Sequence, residues 1–210
     1  MSAALDIILK VVFLGGAGLI VIILHKLMIK LNKQPDIPHK EQTSLRKDSY
    51  YNAELQRILI RIKLELQACK VTLARFHNGG CFANGLDMRK FTVTHETTGG
   101  SKVPLMDKCV SVLNSRYGIA FEQLAIRREY VVYDVDDCND TNFKRDMGEF
   151  GFKATYIFLI KQNSGIDEGF VGVNFSDSKI LTPEQRDIVR EQIPRIIDLV
   201  NMKEEIQGMM

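Results

Sequence analysis

Fourteen consecutive residues near the start of the chain, Val11–Leu24 (VVFLGGAGLIVIIL), carry no polar side chain. Such a run needs apolar cover on every face, so it sits either in lipid or in a protein core. Extended outward, the apolar stretch reaches Leu5–Ile29, broken only by Asp6, Lys10, His25 and Lys26. At 1.5 Å rise per residue, roughly 20 residues span the hydrocarbon of a bilayer. The wider stretch meets that length when Lys10 and Lys26 reach their amines to the two interfaces. A cleaved signal peptide is the main alternative, but the run is followed by His25-Lys26-Leu27-Met28 and not by a small-residue cleavage site. A buried core helix is the other alternative, and the rest of the chain already suffices for one compact domain. The sequence therefore predicts a transmembrane anchor (1–31), a juxtamembrane linker (32–44) with Pro35 and Pro38, and a folded domain (45–210).

Flanking charge orients the anchor. Lys10 is set against Asp6 on one side, whereas Lys26, Lys30, Lys33 and Lys40 follow on the other. The positive-inside rule then predicts a single-pass protein of the cell (inner) membrane with its C-terminal domain in the cytoplasm. The Gly15-Gly16-Ala17-Gly18 patch would let two such helices approach closely, although small residues are common in membrane helices. Residues 1–47 hold seven Lys/Arg against three Asp/Glu, a net +4; the remainder holds 21 against 23, a net −2. The basic excess lies beside the membrane, where anionic lipid attracts it. The domain itself lacks the basic footprint of a nucleic-acid binder.

Cys69, Cys81, Cys109 and Cys138 form no C-x-x-C pair, and no histidine stands at a zinc-ligand spacing from them. In a cytoplasmic domain they read as reduced thiols. Two sequons, at Asn139 and Asn174, would matter only outside the cytoplasm.

Along the domain, Leu55, Ile58, Leu59, Ile62 and Leu66 recur at helical steps within a predicted helix of about 45–73. Such a helix either pairs with its twin or packs on its own sheet. Val71–Phe76 reads as a strand, His77–Asp87 as a Gly- and Asn-rich loop, and Lys90–Thr98 as an alternating strand. Met106–Tyr117 reads as a helix stopped by Gly118. Tyr130–Val135 reads as a strand, followed by an acidic loop and a short helix to Gly151. Ala154–Lys161 and Glu168–Phe175 read as a hairpin turned by Gln162–Asp167. Thr182-Pro183-Glu184-Gln185 carries a capping box at the start of a last helix, in which Val189, Ile193, Ile196, Ile197 and Val200 form one stripe and Pro194 predicts a kink. This order predicts an α+β domain, an antiparallel sheet flanked by helices.

Three stretches, YVVYDVDDCNDTNF, GFKATYIFLI and EGFVGVNFSDSKILTPEQRDIVREQIPRIIDLV, resemble the second half of a GAF domain. The succession is a strand ending in Asp, a short helix, two glycine-led strands joined by a turn, and a polar loop entering a long helix. The pattern extends over about 45–202. PAS domains share much of this architecture but order the terminal elements differently. The front segment RFHNGGCFANGLDMRKFTVTHE (75–96) looks like a compact variant seen in small bacterial or phage GAF-like proteins. The resemblance implies a sensor or interaction module. It also implies a ligand pocket between sheet and helices, of the kind that takes cyclic nucleotides, amino acids or tetrapyrroles, and dimerisation through the first and last helices, here 45–73 and 183–206.

Candidate ligand contacts gather in 75–96: Arg75, His77, Asn78, Phe82, Asn84, Lys90 and Glu96, around glycines that let backbone amides approach a ligand. Strand alternation puts Lys90, Thr92, Thr94 and Glu96 on one face, either lining a pocket or facing solvent. Asp134 and Phe143 join the candidates because cyclic-nucleotide-binding relatives use the corresponding region. The acidic cluster Asp134, Asp136, Asp137 and Asp140 departs from a calcium loop, with Cys138 at the fifth position and no glycine at the sixth. No cofactor is named by any motif.

Three functions follow as expectations. The first is a membrane-anchored, cytoplasmic sensor or interaction module that binds a small molecule or a protein partner and works as a homodimer. With no kinase, cyclase or DNA-binding extension after Met210, its ligand would act through the dimer, the juxtamembrane helix or a partner surface. The second is a thiol enzyme similar to the GAF-fold free-methionine-sulfoxide reductases, with Cys81, Cys109 and Cys138 as nucleophile and resolving thiols. The third is a pocketless scaffold at the membrane.

Overall fold

The computed structural model describes residues 39–81, 87–97, 103–162 and 167–208. The predicted transmembrane anchor and residues 32–38 of the expected linker lie outside these residues, whereas 39–44 are helical. Among the described residues, no helix is long and apolar enough to cross a membrane. Residues 47–210 make one compact unit.

The element order is α1 (His39–Leu66), β1 (Lys70–Cys81), β2 (Asp87–Glu96), α2 (Leu105–Lys108), β3 (Val112–Leu113), α3 (Gly118–Arg127), β4 (Glu129–Val132), α4 (Thr141–Glu149), β5 (Ala154–Lys161), β6 (Asp167–Phe175) and α5 (Pro183–Gly208). Short 3-10 turns lie at Asn114–Tyr117 and Val135–Asp137. The six strands form one antiparallel sheet in the order β3-β2-β1-β6-β5-β4.

Both faces of the sheet are covered, so its central strands are apolar on both sides. Alternate residues supply two cores. On one face Val71, Leu73, Tyr156, Phe158, Val171 and Val173 meet α1 and α5. The predicted α1 stripe of Leu55, Ile58, Leu59, Ile62 and Leu66 is buried there. On the other face Ala74, Phe91, Val93, Ile157, Leu159 and Phe170 meet α2, α3 and α4. The capping box forms as expected: Thr182 Oγ1 accepts from Gln185 N at 3.3 Å, and Gln185 Oε1 accepts from Thr182 N at 3.0 Å. The last helix continues through Pro194.

Four local expectations change. First, α1 ends at Leu66, not near residue 73, because Gln67 takes a left-handed φ of 54°. Second, the expected His77–Asp87 loop is largely ladder: β1 and β2 pair out to Cys81↔Asp87, leaving 82–86 outside the described residues. Third, the expected helix Met106–Tyr117 is broken. One turn, α2, is followed by Ser111 at φ 52° and by β3, whose Val112 and Leu113 pair with Phe91 and Lys90. Gly118 does not stop a helix but starts α3, at φ −56°. Pairing with a sheet edge outweighs a weak local helix preference.

Fourth, Glu96 leaves the face of Lys90 and Thr92. Leu73 pairs with His95, but Ala74 pairs with Val93, so Thr94 is an extra residue, a β-bulge. A one-residue insertion reverses the alternation beyond it. Glu96, opposite Thr72, therefore shares the face of Phe91 and Val93, while His95 turns to α1 and hydrogen-bonds Asn52 at 3.3 Å.

Candidate functional site

The second core does not close completely. Between the sheet and α2, α3 and α4 lies a cavity of about 50 Å³. Roughly 10–15 Å³ of such volume holds one water, so the space corresponds to about four waters. Its walls are aromatic. Phe91, Phe121 and Phe170 have mutual centroid distances of 5.2–5.8 Å, and Tyr117 meets Phe143 edge-to-face at 5.6 Å and 83°. Its polar part comes from the sheet: Thr72 on β1, Thr155 on β5 and Asn174 on β6, all buried. Among the described residues none that lines it is charged.

Each wall is held by a polar clamp. Asp140 caps α4, accepting from Phe143 N at 3.0 Å, and its other oxygen accepts from Ala120 N on α3 at 3.4 Å. Phe143 and Ala120 both line the cavity. Beyond the bulge, Glu96 accepts from buried Lys70 Nζ at 3.1 Å and from Leu105 N at 2.7 Å. That ties the start of α2, and with it Leu105 and Cys109 of the cavity wall, to the sheet. A buried charge pair is tolerated because both partners are satisfied; Lys70 Nζ also donates to Val103 O at 2.9 Å.

Asp146 on α4 makes the third clamp. Its carboxylate accepts from Tyr117 Oη at 2.6 Å, from Arg116 Nε and Nη2 at 2.8 and 3.0 Å, and from Arg145 Nε at 3.2 Å. Burial pushes the Asp146 carboxyl up, but the Tyr117 and Arg116 hydrogen bonds outweigh it and hold it below the usual value. Burial and then the Asp146 bond push the Tyr117 phenol up. An open cleft of about 510 Å³ shares Cys109 and Tyr117 with the cavity and includes Arg116 and Asp146 in its lining. Tyr117 is thus a wall common to both spaces, latched by Asp146.

The candidate residues from the sequence separate in space. Phe143 lines the cavity. Glu96 lies on the cavity face as a tether and is not among the lining residues. Arg75, His77 and Lys90 lie on the opposite face: Arg75 pairs with Glu168 at 2.8 Å, and His77 Nε2 lies 2.9 Å from Thr92 Oγ1. Asn78 Oδ1 accepts from Gly80 N near the end of β1, at 3.1 Å. Asp134 caps the 3-10 turn and accepts from Ser178 Oγ at 2.5 Å. Phe82 and Asn84 lie outside the described residues. Thr72, Thr155 and Asn174 were not singled out from the sequence. Their signal is a polar residue between apolar neighbours: Val71-Thr72-Leu73, Ala154-Thr155-Tyr156 and Val173-Asn174-Phe175.

Among the described residues Cys69, Cys109 and Cys138 are free thiols. Burial, and then the negative charges of Asp146 and Glu96, push the Cys109 thiol up to about 11. A nucleophilic cysteine needs the opposite shift. No group of described His, Cys, Asp and Glu residues is arranged to hold a metal ion.

This layout, helices on both faces of an antiparallel sheet with a cavity on one side, is that of a small α+β domain. Solved structures define it more closely, and the domain has a GAF-like fold. The phycocyanobilin-bound GAF domain of a cyanobacterial phytochrome aligns with TM-score 0.55 and 12% identity, covering 80% of this chain and 95% of that one. The GAF domain of PixJ from Thermosynechococcus elongatus aligns at 0.58 and 9%, covering 79% and 94%. The GAF region of a putative membrane protein from Geobacter sulfurreducens PCA aligns at 0.54 and 11%, covering 75% and 97%. No family model matches the sequence, and no curated protein matches it.

Proposed function

We propose that this chain is a membrane-anchored sensory module whose GAF-fold domain, facing the cytoplasm, binds a small molecule in the cavity beneath α2, α3 and α4. The observation that carries the reading is the cavity itself: an uncharged, aromatic-walled space with three buried polar side chains, its walls held by separate clamps. A bilin occupies the GAF domain of the phytochrome neighbour. The room of about four waters here suits a much smaller occupant. Binding would press on Tyr117 and Phe143 and so shift α3 and α4 against the sheet. A homodimer through α1 and α5 is supported by Tyr50, Ile60 and Leu64, apolar side chains left exposed on α1. The anchor reading is supported by the apolar run Val11–Leu24 and the lysines that follow it.

The test is thermal unfolding of the full chain in detergent against a library of small neutral compounds, beside the Gly172→Ala variant. A Cβ on Gly172 would stand 2.7 Å from Thr72 Oγ1, inside the lining. A cavity ligand raises the melting temperature of the native chain and has less effect on the variant. If every stabilising compound acts equally on both, or none acts at all, the cavity is not a ligand site. Protease protection of the chain in membranes tests the anchor and its orientation.

A further inference from the structure

Resting on the reading of the cavity as a ligand site, we propose that its ligand is a small neutral molecule with one carbonyl oxygen on an apolar body, held by the side-chain amide of Asn174. Asn174 is 3% exposed and stands on β6 opposite Thr155 of β5. Thr155 Oγ1 donates to Asn174 Oδ1 at 3.1 Å, which engages the amide oxygen and orients the group. The Nδ2 donors are then turned the other way. They lie 3.9 Å from the point where a Gly172 Cβ would stand, and both residues line the cavity. Among the described residues Nδ2 meets no acceptor. A buried amide donor aimed into an apolar space loses a hydrogen bond unless an occupant supplies one.

The rest of the lining selects the chemistry of that occupant. Among the described residues no charged side chain lines the space, so a carboxylate, phosphate or ammonium would be desolvated without a counter-charge. A carbonyl oxygen accepts from Nδ2 and brings no donor of its own to satisfy. An alcohol adds a hydroxyl proton, which must compete for lone pairs of Thr72 Oγ1 or Asn174 Oδ1, both already engaged in hydrogen bonds. The volume, about 50 Å³, admits a body of roughly four to six heavy atoms against Phe91 and Phe170. Gly172 is what leaves this space open: between Phe170 and Asn174 on the same face, β6 presents no side chain.

The experiment uses four near-isosteres on the full chain in detergent: butan-2-one, 2-methylbut-1-ene, butan-2-ol and propanoate, at fixed free concentration. Carbon-13 methyl spectra follow Val93, Ala120, Leu124 and Ile157 in the lining, and the Asn174 side-chain amide is followed beside them. The expected result is that the ketone moves the cavity methyls and shifts the Asn174 amide, whereas propanoate does neither. In Asn174→Leu/Thr155→Val, which removes both hydrogen-bonding partners together, the ketone-to-alkene affinity ratio falls about tenfold. If that variant does not fold, the amide shift in the native chain decides: it accompanies the ketone and not the alkene. An unchanged ratio, an unmoved amide, tighter binding of the alcohol than of the ketone, or propanoate binding overturns the proposal. Alkene binding with an unchanged ratio overturns carbonyl recognition alone and leaves the cavity a ligand site. Methyls unmoved by all four compounds overturn the cavity reading itself.

Discussion

Replacing Asp146 by Ala should destabilise the domain and release the wall between cavity and cleft. Three side chains lose their acceptor. Arg116 and Arg145 are 45% and 52% exposed, so water replaces the carboxylate and each pair contributes about 0–1 kcal/mol. Tyr117 is 5% exposed, and its stranded hydroxyl costs about 1–3 kcal/mol. Together these give roughly 1–5 kcal/mol, the largest part from one phenol. Denaturant unfolding of the full chain at pH 7 should show a lower midpoint with an unchanged slope. Adding Tyr117→Phe to the Asp146→Ala variant removes the stranded hydroxyl and should restore about 1 kcal/mol, although the same change alone is destabilising. Acid supplies the sign. The folded pKa of Asp146 lies below its ordinary 3.8, so its contribution is complete above that value and is lost as pH falls through the folded pKa. The deficit of the variant should therefore shrink below about pH 3.8. A deficit under about 1 kcal/mol at pH 7, no recovery in the double variant, or a deficit that persists in acid would refute the latch.

Gly169→Ala places a Cβ 2.0 Å from Ala74 O, a backbone atom of the paired strand, so the variant should fail to give a folded domain by circular dichroism. Thr182→Ala removes the cap of α5 and should lower stability by about 1 kcal/mol in the same denaturant assay. Cys109, with its thiol pushed up to about 11 and buried, should be alkylated by iodoacetamide at pH 8 on the order of a hundredfold more slowly in the native chain than in denaturant, read by mass spectrometry. Raised phenol pKa values at Tyr117, Tyr130 and Tyr156 stabilise the fold below pH 10, the ordinary value. Stability should fall as pH rises beyond it, because the unfolded phenols ionise first.

Elements held by local rules were legible in the chain. The α1 stripe, the β5–β6 hairpin and the Thr182/Gln185 capping box each depend on residues within one or two turns of one another, and each formed. The expected helix Met106–Tyr117 is broken for the opposite reason. Its local pattern supports a helix ending at Gly118, but a distant strand edge captures Val112 and Leu113, and a helix begins where one was expected to end. The Thr94 bulge left no mark in the alternation of KFTVTHE, yet it moves Glu96 from one face of the sheet to the other.

By itself, then, the sequence determined the apolar run at its start, the α+β class, the two outer helices and the GAF-like pattern of the second half. These follow from hydrophobic period, turn residues and caps, which act over a few residues. Only the tertiary structure decided where a cavity forms. The cavity draws Thr72, Phe91, Tyr117, Phe143, Thr155 and Asn174 from distant parts of the chain. Sheet order, one bulge and the absence of a side chain at Gly172 bring them around one space, and none of these is a property of neighbouring residues.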